Sequence, residues 1–175
     1  MRWMWIDRVL RYEPERRLVT IKNVSMAEEH LHDHFAADAH GPALPLMPAS
    51  LIVEGMAQTA GILVGAVHRF REKVILAKVA RAELECDVVP GQSLRYDATI
   101  DRMDEVGAST HGVVSLSNTG NDDASWMEIG AIDLLFSHLD QNLAGLDFPD
   151  ENFVFSENFR VILRSAGLGD LADEG

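Results

Sequence analysis

From Leu18 to Val24 apolar and polar residues alternate, the period of a strand with one covered face. Ahead of it, Ile6-Asp7-Arg8-Val9-Leu10 and the turn Tyr12-Glu13-Pro14-Glu15 predict a strand or short helix and then a reversal of the chain. Between Ser25 and Pro48 the pattern stops, and Gly41, Pro42, Pro45 and Pro48 punctuate a long loop. Ala49 through Val67 holds no proline and no charge except Glu54, with Gln58 and Thr59 as its other polar groups. Ser50 aside, at its first turn, that predicts a helix buried on nearly every side. Glu54 and Gln58 leave too little unbroken apolar chain to cross ~30 Å of hydrocarbon, so no membrane span is expected. Gly61 and Gly65, four apart, should give the helix a smooth face against a sheet.

After a basic connector, Arg69 to Lys73, the chain turns strand-like. Strands are predicted at Val74 to Val79, Ala82 to Val89, Ser93 to Arg102, Ser109 to Ser117 and Trp126 to Phe136, with turns at Pro90-Gly91 and at Asn118 to Asp123. One buried helix and a run of antiparallel-type strands make an α+β class. Residues 1–139 read as one domain and 140–175 as a tail. The tail carries a short helix, Glu157 to Arg164, capped by Ser156 and stopped by Gly167, and is expected to pack in part through Phe153, Phe155 and Phe159.

Composition sharpens this picture. With 47% hydrophobic residues in 175, the chain is long enough for one well-buried core. The net charge of −13 argues against nucleic-acid binding, which needs a basic footprint. The charge is uneven: residues 1–81 hold 11 Lys/Arg against 9 Asp/Glu, a net of +2, and residues 82–175 hold 4 against 19, a net of −15. An acidic partner should therefore meet the first half. A lone cysteine, Cys86, excludes an intrachain disulfide and reads as a half-buried strand residue; Met1 to Asp7 has no signal-peptide pattern, so a cytoplasmic protein is expected. No Gly-x-Gly-x-x-Gly, Walker loop or metal-ligand spacing occurs, so neither cofactor nor metal is expected. His30, His32 and His34 would share a face in extended chain, which invites a metal, but no scaffold fixes their spacing. His30, His32 and His40 read instead as exposed loop residues.

His34-Phe35, followed by Met47-Pro48-Ala49-Ser50-Leu51-Ile52-Val53-Glu54-Gly55-Met56-Ala57-Gln58, resembles the signature of the hotdog-fold β-hydroxyacyl-acyl-carrier-protein dehydratases of fatty-acid synthesis. Ile6-Asp7-Arg8-Val9-Leu10, Lys22-Asn23-Val24 and Val88-Val89-Pro90-Gly91-Gln92-Ser93-Leu94 look like the flanking motifs in the same order, so the likeness runs from residue 5 to about 138. The resemblance implies an antiparallel sheet wrapped around a long central helix, in a homodimer or a trimer of dimers. It also implies a cofactor-free lyase that takes water from a β-hydroxyacyl thioester of acyl carrier protein or coenzyme A to give the trans-2-enoyl thioester. In that family the catalytic His and Glu of one site come from opposite subunits, here His34 and Glu54.

The chemistry asks for these residue types. A histidine suits abstraction of the weakly acidic proton beside the thioester carbonyl. Unpaired N–H groups at a helix start, here Ala49 and Ser50 just past Pro48, can hold the oxygen on which charge develops. A carboxyl in an apolar helix, Glu54, can give its proton to the departing hydroxide. Gln58, one turn on, and Phe35 are expected to line the pocket. The family pattern is broken at Asp33 (its Gly), Ala36 (its Pro) and Ala49 (its Gly), and Phe35 to Leu46 is longer by about six residues, an inexpensive insertion. Its basic strand is here Glu83-Leu84-Glu85-Cys86-Asp87, which leaves Arg69, Arg71 and Lys73 as the candidates for steering a carrier. The same scaffold could serve thioester hydrolysis with Glu54 activating water, or a non-catalytic acyl-binding or structural subunit.

Overall fold

The computed structural model describes residues 3–32, 34, 36–39, 41–118, 125–139 and 157–173. Strands β1 (Arg8–Glu13), β2 (Arg17–Asn23), β3 (Lys73–Leu84), β4 (Ser93–Met103), β5 (Gly107–Ser117) and β6 (Met127–Leu139) form one antiparallel sheet in the order β1-β2-β4-β5-β6-β3. Helix α1 (Ala49–Val67) packs against β2 through β6. This is the expected hotdog arrangement. The loop from Ser25 to Pro48 carries one 3-10 turn, Glu29–Leu31, and a bridge between Asp38 and Gly41. Leu31, in that turn, and Met47, just before the helix, are buried and hold the loop to the core.

Val74 to Val79 and the first three residues of the strand predicted at Ala82 to Val89 form instead the single strand β3, which ends at Leu84, so that Glu85 to Val89 lies outside the sheet. The register of β3 against β6 shifts between Leu76 and Lys78 and between Val79 and Arg81. Each bulge resets the alternation of faces while pairing continues, so a period-of-two reading sees a break where the backbone has none. Cys86 lies exposed just past the end of β3, not half-buried within a strand.

The tightest approach between helix and sheet is at Gly55 and not at Gly61. A Cβ on Gly61 would make only ordinary contact, 3.6 Å from the Phe136 ring. A Cβ on Gly55 would stand 2.5 Å from the Tyr96 ring, which is fully buried. Gly112 on β5 in turn makes room for the thioether of Met56. Thr59 donates to the Gly55 carbonyl at 2.8 Å, so the hydroxyl of Thr20 donates to Thr59 at 2.7 Å and ties α1 to β2. α1 meets the length and apolarity of a membrane span, but 72% of its most apolar 18-residue stretch is buried inside the protein, as in a core helix.

In the tail, α2 (Glu157–Ser165) ends as expected before Gly167, at φ +75°, and contacts β1. Leu163 is buried and Phe159 packs against the core beside it. Ser156, Phe153 and Phe155 lie outside the described residues.

Candidate functional site

The sequence segments that carry the resemblance meet in space. The N–H of Val24 donates to the Gln92 carbonyl and that of Gly91 to the Val24 carbonyl, both at 2.9 Å. The Met47 N–H donates to the Val88 carbonyl at 2.8 Å, which anchors the loop just before α1. Gly91 has φ +90°, a conformation the turn takes at little cost only with glycine. Asp7 accepts from the Asn23 N–H at 2.6 Å and from Lys22 at 3.1 Å, and Lys22 also meets Glu28 at 2.7 Å. Burial works against the charge on Lys22, but Glu28 and Asp7 outweigh it and its pKa is raised.

Pro48 caps α1 and its carbonyl accepts from Leu51 and Ile52. Ala49 and Ser50 therefore precede the first intrahelical bond, at an exposed helix start where donors and the positive dipole end face outward. One turn further, Glu54 is half-buried, and its Oε1 accepts from the indole of Trp3 at 3.0 Å and from Gln58 at 2.9 Å. Gln58 is buried; its own oxygen accepts from the Trp5 N–H at 2.8 Å, and its amide also donates to the Trp3 carbonyl at 3.2 Å. Gln58 is thus bonded to Glu54 on one side and to the N-terminal segment on the other. Trp3 and Trp5 were not among the expected site residues. Their only signal in the sequence is a pair of large aromatic side chains, two apart, immediately before Ile6-Asp7.

His34 is half-buried, with Nδ1 2.8 Å from the Leu31 carbonyl oxygen. A carbonyl only accepts, so in the neutral imidazole Nδ1 carries the hydrogen and the lone pair is on Nε2, the tautomer a base needs. Among the described residues of one chain, no hydrogen bond or ion pair joins His34 to Glu54, whose partners are Trp3 and Gln58. Asp33, Phe35 and His40 lie outside the described residues.

The other loop histidines divide. His32 is exposed as expected, but His30 is half-buried in the 3-10 turn, edge-on to Trp5 at 5.1 Å between ring centres, with Nε2 buried and without a hydrogen bond among the described residues. The reading of His30 as an exposed loop residue is therefore corrected. Burial lowers its pKa; Glu28 opposes the shift and Lys22 adds to it. The unfolded chain then binds more protons than the folded one at acid pH, so this contribution is complete above the ordinary histidine value of 6.5 and is lost as pH falls below it. Thermal melts are expected to show stability falling from about pH 7 to about pH 5, with a shallower slope in His30→Phe. An equal slope in the variant contradicts the assignment.

Arg69 and Arg71 are exposed and Lys73 is half-buried, all beyond the C-terminal end of α1. In the same chain they stand a helix length, roughly 28 Å, from Ala49 and Ser50. A cavity of about 650 Å³, lined in part by Val67, His68 and His138, opens at that same far end.

A family sequence model described as the FabA-like domain matches residues 2–123. The 3-hydroxyacyl-acyl-carrier-protein dehydratase FabZ of Solibacter usitatus is 35% identical over 116 residues, covering 65% of this chain and 67% of the relative. The enzyme of the same name from Symbiobacterium thermophilum is 37% identical over 102 residues, covering 58% and 68%. Among solved structures, the dehydratase heterocomplex ApeI:P from Xenorhabdus doucetiae aligns with a TM-score of 0.59 at 15% identity, over 79% of this chain and 85% of that one. A thioesterase family protein from Silicibacter pomeroyi aligns at 0.55 and 10% identity, over 75% and 83%. Both structures share the fold, and the fold alone does not separate elimination from hydrolysis.

Proposed function

Since the chain belongs to the FabA-like domain family, we propose that it dehydrates β-hydroxyacyl thioesters to trans-2-enoyl thioesters in fatty-acid synthesis, with His34 as the base and Glu54 as the acid. The observation that carries this reading is the setting of Glu54: a carboxyl on the buried helix, one turn from the helix start, with Oε1 bonded to Trp3 and Gln58 and Oε2 without a hydrogen bond among the described residues. His34 Nε2 takes the proton beside the carbonyl, the N–H groups of Ala49 and Ser50 hold the enolate-like oxygen, and Glu54 protonates the departing hydroxyl. Pro48 sets where those two donors point. A carboxyl so placed supports elimination because the leaving group must depart as water. No metal or cofactor enters the scheme.

The site belongs to a dimer. β3 is a twelve-residue edge strand at the end of the sheet, and Leu76 and Val79 on it are exposed. An edge of that length is a template for a second chain. Antiparallel pairing of two copies of β3 about its midpoint sets Lys73 of one against Leu84 of the other. The connector Arg69, Arg71 and Lys73 of one protomer then borders the Val88 turn and helix start of its partner, where these cations can steer an acidic acyl carrier protein or the phosphates of coenzyme A. A trimer of dimers would leave this pairing unchanged. A cytoplasmic location accords with the lone exposed cysteine.

Purified protein given a β-hydroxyacyl thioester is expected to release the enoyl product, read by its ultraviolet absorbance. Release of free thiol with no enoyl product overturns the reading in favour of hydrolysis.

A further inference from the structure

Glu54 can act as an acid with either oxygen, and the structure distinguishes them. We propose that Trp3 is a positioning residue: its indole N–H, with the carboxamide of Gln58, occupies Oε1 of Glu54 and leaves Oε2 as the oxygen that meets the substrate. This rests on the reading of Glu54 as the acid of the dehydratase.

The arrangement is set from the N-terminal segment inward. The Trp5 N–H donates to the Gln58 oxygen at 2.8 Å, which decides the orientation of the carboxamide. Its nitrogen must then face the Trp3 carbonyl and Glu54, at 3.2 and 2.9 Å. Trp5 is buried and packs edge-on against both His30 and Trp3, at 5.1 and 5.6 Å. The Trp3 ring, although 56% exposed, is thereby held with Nε1 at 3.0 Å from Oε1. With two N–H donors directed at Oε1, a proton on that oxygen would oppose them, so the acidic hydrogen resides on Oε2. In the reaction His34 Nε2 gains the α-proton and the C–H electrons become the new C=C bond. The β-carbon to oxygen bond breaks, and the hydroxyl leaves as water with the proton from Oε2. Glu54 ends ionised with Oε1 still held by its donors, and the proton on His34 returns to it through solvent.

Trp3→Phe keeps an aromatic ring on Trp5 and removes the N–H. It is expected to lower kcat about tenfold with KM changed less than twofold, since the lost bond acts on proton transfer and not on binding. A merely structural Trp3 would change stability and leave the kcat of the folded fraction alone. The second readout is the indole N–H proton resonance of Trp3, assigned by its disappearance in Trp3→Phe. It is expected to move upfield in Glu54→Gln, where the acceptor is neutral, while those of Trp5 and Trp126 stay in place. Unchanged kcat in Trp3→Phe, or an unmoved Trp3 resonance in Glu54→Gln, overturns the proposal. If Glu54→Gln itself retains full activity, the assignment of the acid has failed.

Discussion

Replacing His34 by alanine is expected to lower kcat/KM for a β-hydroxyacyl thioester by about 10²- to 10⁴-fold, the range that a positioned general base supplies. The basis is the contact between Nδ1 and the Leu31 carbonyl, which fixes the tautomer and leaves Nε2 to accept the proton. Leu31 is fully buried, so the group that orients the imidazole is itself held by the core. His34 sits outside the strands and the long helix, and its removal should shift the melting temperature by only a few degrees. Glu54→Gln is expected to lose activity on a similar scale, because an amide accepts the same hydrogen bonds but has no proton to give. Steady-state rates of enoyl formation for both variants, beside their melting curves, check this. Full activity in either contradicts the assigned roles.

The second large effect concerns stability. Gly55→Ala places a methyl group 2.5 Å from the ring of Tyr96, and that ring is enclosed on all sides. Overpacking costs typically about 1–3 kcal/mol, and a ring with nowhere to move belongs at the upper end or beyond. Gly61→Ala is the control on the same helix. Its new methyl group meets only an ordinary contact at 3.6 Å, and the gain in helix propensity should stabilise the fold by about 0.5–1 kcal/mol. Denaturant titration of the two variants should therefore move in opposite directions. A Gly55→Ala variant as stable as the parent contradicts the close approach of α1 to β4.

Much of this was legible in the sequence, for identifiable physical reasons. The central helix declared itself because burial on nearly every side excludes charge from it, so that Glu54 stood out. The helix was also bounded by Pro48, which fits the first turn without a lost hydrogen bond. Strand pairing was less visible, because the bulges in β3 break the alternation that a reader relies on. The glycine at the tightest helix-to-sheet contact, Gly55, was not singled out, since spacing marks where a smooth face can exist but not which large residue on the sheet comes to fill it. Tyr96 decides that, forty-one residues after Gly55. His30 was misread because nothing in its own loop shows that Trp5 lies across it. The hold on Glu54 was half legible: Gln58 follows one turn on in the same helix, whereas Trp3 approaches from a distant segment.

The proposed site joins His34 of one protomer to Glu54 of its partner, and a mixed dimer distinguishes this from a site within one chain. His34→Ala and Glu54→Gln chains carrying different affinity tags are co-expressed and the heterodimer is isolated through both tags. A shared site leaves one of the two sites intact, with His34 from the Glu54→Gln chain and Glu54 from the His34→Ala chain, so the heterodimer should show about half of the wild-type rate per dimer. A heterodimer as inactive as either parent variant would mean that each site is built within one chain, and would contradict the account.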